Sequence, residues 1–101
     1  MNYIEDLKDV IRDLHGVDST HRQSVPVKEL FNGQTIWDGV VEVFELHGHT
    51  LANTVYAWSH STDDQVNPIR HETVLHLGPV VSPETAVRAS ILQEFRANAE
   101  A

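Results

Sequence analysis

Histidine is the residue type in this chain with the widest chemical repertoire. Seven are present, at positions 15, 21, 47, 49, 60, 71 and 76. An imidazole can ligate a metal or exchange a proton near neutral pH. The run His47-Gly48-His49 is the most ligand-like. Two imidazoles spaced i, i+2 on a strand share a face and can hold one metal. A neighbouring strand carrying His60 or His71 would complete the set. His47, His49, His60 and His71 are therefore the candidate ligands. No full ligand set has diagnostic spacing, so the expectation is turn and surface histidines with neither metal nor cofactor.

Other chemistry is sparse. Ser59, His60 and Asp63 contain the members of a hydrolytic triad, but a triad is defined by spatial geometry and these lie too close in sequence. Two stretches, His60-Ser61-Thr62-Asp63 and His71-Glu72-Thr73-Val74, are similar to the paired His-x-Thr-x motifs of some phosphoesterases. There the variable positions are apolar, whereas Ser61, Asp63 and Glu72 are polar here. No nucleophile elbow, phosphate loop or dinucleotide fingerprint is present. The absence of cysteine removes thiolate chemistry, disulfides and cysteine zinc sites. The aromatics Trp37, Tyr56 and Trp58 fall on adjacent predicted strands. They either fill one sheet face or form a partner surface rimmed by Lys28, Arg70 and Arg22.

Charge narrows the classes of partner. Fifteen acids face seven Lys and Arg, giving a net charge of −8 at pH 7. Nucleic-acid binding needs cations to neutralise phosphates, so neither nucleic acid nor an anionic membrane is expected as a partner. An acidic surface confers solubility, and it also suits a basic protein partner. The N-terminus is acidic and polar, unlike a signal peptide, and no apolar run approaches a membrane span. A cytoplasmic location is expected.

The elements that must position these residues follow from periodicity. Ile4, Leu7, Ile11 and Leu14 recur at helical spacing, predicting a helix over 3–15. Asn2 can cap it and Gly16 can end it. Residues 17–23 read as a polar connector. Strand signal starts at about Val25, and Asn32-Gly33 predicts a type I′ hairpin turn. That turn would set Lys28 opposite Trp37, an ammonium stem over an indole. A second strand spans about 35–46, with Gly39 suggesting a bulge. Further strands are predicted at about 53–60 and 69–77. Ser82-Pro83 marks the start of a last helix running to about Ala97, with Val87, Ile91 and Phe95 on one stripe.

A chain of 101 residues is one domain by length. The order α-β-β-β-β-α predicts an α+β two-layer sandwich, a four-stranded antiparallel meander with both helices on one face. The layout is similar to the helix–three strands–helix order of double-stranded-RNA-binding domains. Those domains open their last helix with lysines, where this chain has Ser82-Pro83-Glu84-Thr85, so RNA binding is not implied. Both faces of residues 40–46 are partly apolar. Two helices on one face would leave the other bare, which predicts a homodimer. The leading expectation is thus a non-enzymatic protein–protein interaction module, with an unidentified protein as a further partner. A ligand- or metal-binding protein, or a hydrolase, is the alternative, built on the His/Trp cluster. A third is an acidic inhibitor that mimics nucleic acid.

Overall fold

The computed structural model describes residues 3–99. Helix α1 covers Tyr3–His15 and buries Leu7 and Ile11 completely. Acids Glu5 and Asp6 lie in its first turn and Arg12 and His15 in its last, complementing the helix dipole. Gly16 stands at φ 72° and its N–H bonds the Arg12 carbonyl at 2.8 Å, closing the helix as predicted. The Asn2 cap lies outside the described residues. The chain then forms β1 (Ser19–Phe31), β2 (Gln34–Leu46), β3 (Thr54–Ser61) and β4 (Ile69–Leu75), and ends in α2 (Pro83–Ala99). Ser82 caps α2 by accepting the Thr85 N–H, while the Thr85 hydroxyl accepts the Val81 and Ser82 N–H groups.

The four strands form one open antiparallel sheet in the order β1-β2-β3-β4. Strand β1 starts at Ser19, not near Val25. Its polar first half is held by cross-strand side chains. Thr20 bonds His47, Arg22 bonds Glu45, and His21 and Ser24 both bond Glu42. Partners on β2 and just past its end thus stabilise a stretch whose composition resembles a connector.

The Asn32-Gly33 turn forms as predicted, with φ of 52° and 78°. The register beyond it differs from expectation. Leu30 pairs with Thr35, then a shift sets Glu29 opposite Trp37 and Lys28 opposite Asp38. Ile36 is the extra residue of this bulge. Lys28 and Trp37 therefore point to opposite faces, and the expected cation–π pair does not form. Gly39 keeps its register opposite Val27. A Cβ at Gly39 would sit 3.1 Å from the Trp37 ring, so the glycine makes room for the indole.

The class and element order are as the sequence predicts. The expected two-layer sandwich with both helices on one face is not what forms, because each helix takes its own face of the sheet. One face carries Val27, Val41, Val43, Tyr56 and Trp58, packed with Val80, Ala86 and Val87 at and before α2. The other carries Phe44, Leu46, Val55 and Ala57, packed with Leu7 and Ile11 of α1. Alternate residues of β2 feed the two cores, so 41 and 43 serve α2 while 44 and 46 serve α1. The apolar character of both faces is met inside the chain, and the expected bare face is not there. The side chain of Phe95 lies outside the described residues.

Candidate interaction surface

The sheet is not evenly supported. Strand β2 pairs with β1 along its whole length but with β3 only over residues 42–45. Residues 34–41 therefore project with β1 as a two-stranded arm. Such a ribbon is marginal in water without packing. Its end is nonetheless apolar: Leu30 is 60% exposed, Phe31 65% and Ile36 47%. Helix α2 passes beneath the arm, and a groove of about 600 Å³ opens between them. The arm supplies Leu30, Phe31, Ile36 and Trp37; the helix supplies Ile91 and Leu92, the latter 56% exposed.

An ion pair ties the arm to the helix. The Glu29 carboxylate, almost buried, accepts hydrogen bonds from Nε and Nη2 of Arg88. The hydrogen bond and charge of Glu29 raise the Arg88 pKa above the ordinary guanidinium value, so Arg88 stays charged at any physiological pH. The pair bridges arm and helix at the lining of the groove.

The predicted aromatic patch divides. Tyr56 and Trp58 are buried in the core beneath α2 and so present no surface to a partner. Trp37 is half-buried; it meets Trp58 edge-to-face at 5.7 Å and carries its outer side into the groove. Of the predicted rim cations, Lys28 lies on the other face of the arm. Arg70 sits on β4 with Glu72 at 3.0 Å, and Arg22 pairs with Glu45 at the far end of β1. None of the three borders the groove.

The histidines are dispersed. His47 hydrogen-bonds Thr20, while His49 Nδ1 accepts the Leu51 and Ala52 N–H groups and its ring faces His15. His60 points to the α2 face near Glu72, and His71 to the α1 face, bonded to Ser59. The structure does not bring the four candidate ligands together, and among the described residues no three metal-binding side chains converge. Ser59 and His60, adjacent on one strand, likewise face opposite ways, which separates the members of the supposed triad. Tyr56 donates to or accepts from His76 at 2.7 Å, one more separate pair.

Glu29, Leu30, Phe31, Ile36, Arg88 and Leu92 were not singled out by sequence reasoning. One signal was available. Leu30 and Phe31 are adjacent apolar residues beside a hairpin turn, and a solvated hairpin end has no use for both. Comparison with known families, curated proteins and solved structures finds no match for this chain.

Proposed function

We propose that this protein is a non-enzymatic, cytoplasmic protein–protein interaction module whose contact surface is the groove between the β1–β2 arm and α2. One observation carries the reading: Leu30, Phe31 and Leu92 are each more than half exposed around a single apolar recess. Scattered exposed apolar residues are ordinary, but a contiguous set at a concave site marks an interface. The bulky Trp37 at its floor and the Arg88 pair at its side are residue types enriched where partners bind tightly. The dispersed histidines give the ligand, metal or hydrolase alternative less support. That no helix is long and apolar enough to cross a membrane is compatible with the proposed location.

Site-specific photocrosslinking in the native host tests the reading. A photoreactive residue at position 31 should capture a protein of discrete mass. The same probe at the exposed loop residue Val66 should not, and Leu92→Glu should suppress the capture. Equal capture at both positions would remove the groove as the contact surface.

A further inference from the structure

We propose that the occupant of the groove is a second copy of this chain, each copy laying its β1–β2 arm against the other copy's α2. This occupant presupposes that the groove is a contact surface, and it names what fills it.

The surface area points to a partner of this size. A folded monomer of 11.4 kDa exposes about 5,800 Å². This chain exposes 6905 Å². The excess is about 1,100 Å², and a standard interface buries about 800 Å² on each side. The radius of gyration agrees: 13.9 Å against about 12.7 Å for a compact chain of this length. A projecting arm contributes to both departures. A chain that forms two complete helix–sheet cores yet keeps an apolar arm in water has surface left over for one more chain.

Charge says what kind of chain. The molecule carries −8, but the groove does not share that bias. Of its three charged lining residues, Glu29 and Arg88 neutralise each other, leaving Glu94. A basic partner would find almost no counter-charge there, so the lining suits an uncharged apolar surface. The same arm offers one. Leu30, Phe31 and Ile36 act as wall for one groove and as plug for the other, which is the self-complementarity a two-fold interface requires. The bulge at Ile36 adds local twist at the arm's end.

Analytical ultracentrifugation of the purified full-length chain tests this. The expected result is a concentration-dependent mass approaching twice 11.4 kDa. Phe31→Ser and Leu92→Glu should each weaken association about tenfold or more, as central interface residues do. Val66→Ser, an exposed apolar change outside the groove, should leave it unchanged. Because Leu92→Glu alters a helix, amide exchange gives a second readout: residues 30–36 and 88–94 should gain protection as wild-type concentration rises. A mass of 11.4 kDa at every concentration overturns the proposal, as does a dimer indifferent to both substitutions. If the monomer still captures another protein through position 31, the contact surface stands and only its occupant changes. If position 31 captures nothing either, both readings fall together.

Discussion

Glu42 is the residue where burial and charge conflict most directly. It is only 1% exposed, on the α1 face, with His21 Nε2 at 2.8 Å and the Ser24 hydroxyl as partners. Loss of water around the carboxylate raises its pKa above the ordinary glutamate value. A raised acid binds its proton more tightly in the folded state. Its contribution to stability is therefore full below the ordinary glutamate pKa and is lost as pH rises through the raised value. Glu42→Gln keeps two acceptor sites and removes the titration. The melting temperature of the variant should exceed that of wild type by a margin that grows from about pH 4 to about pH 7. Parallel curves would show that the carboxylate is adequately solvated by its two partners. Phe44, two residues along on the same face, is fully buried against the α1 core with the His21 ring 5.2 Å away. Phe44→Ala should cost about 3–5 kcal/mol in denaturant unfolding, the range for a buried aromatic that leaves a cavity. A change too small to resolve would mean that α1 collapses into the space.

At the scale of elements, docking of α1 carries a pH dependence of the opposite sign. His15, in its last turn, bonds Thr73 on β4 at 3.0 Å. Burial lowers its pKa, and the nearby His49 lowers it further. A depressed base contributes stability above the ordinary imidazole value, and that stability is lost as pH falls through the folded one. Acidification from about pH 7 to about pH 5 should therefore lower amide protection along α1, read as exchange relative to an unstructured chain at the same pH. In His15→Gln, which can still bond Thr73, that loss of protection should be smaller; an identical acid response would place the sensitivity elsewhere. Which elements were legible in the sequence follows the same local physics. Helix α1, its Gly16 stop, the Asn32-Gly33 turn and the Ser82-Pro83 start of α2 each rest on residues within one turn of one another. The first half of β1 was not legible, because Thr20, His21, Arg22 and Ser24 become strand only through partners on β2 and just past its end, 18 or more residues away. The groove was illegible for a related reason. Nothing near Ile36 or Val40 tells that β3 stops supporting β2 at Glu42, and nothing in α2 tells that Arg88 will reach Glu29. Nor does spacing reveal the splitting of the helices between two faces, since the alternation in residues 40–46 fits a bare second face as well as a covered one.

Over the whole molecule, net charge decides which associations salt helps. Two copies each carrying −8 repel as they approach, and the groove offers no charge pairs to offset this. Apolar burial must drive their association, while the surrounding acids oppose it. Screening over a Debye length of about 8 Å weakens that repulsion at physiological salt. Self-association should therefore tighten as salt rises from about 20 mM to about 300 mM, with most of the change in the association rate. A basic partner drawn by the acids would behave oppositely, binding more weakly and more slowly as salt rises. The same charge bears on nucleic acid. Among the described residues, four of the chain's seven Lys and Arg are tied to carboxylates: Arg12 to Asp18, Arg22 to Glu45, Arg70 to Glu72 and Arg88 to Glu29. With fifteen acids around them, the remaining cations should not track a phosphate backbone. No duplex DNA or RNA should shift in a mobility assay at about 150 mM salt, whatever the helix–strand–helix order suggests. A micromolar shift there, or self-association that falls with salt, would mean that the acids gather away from one face and leave a functional surface governed by charge, in place of the apolar arm.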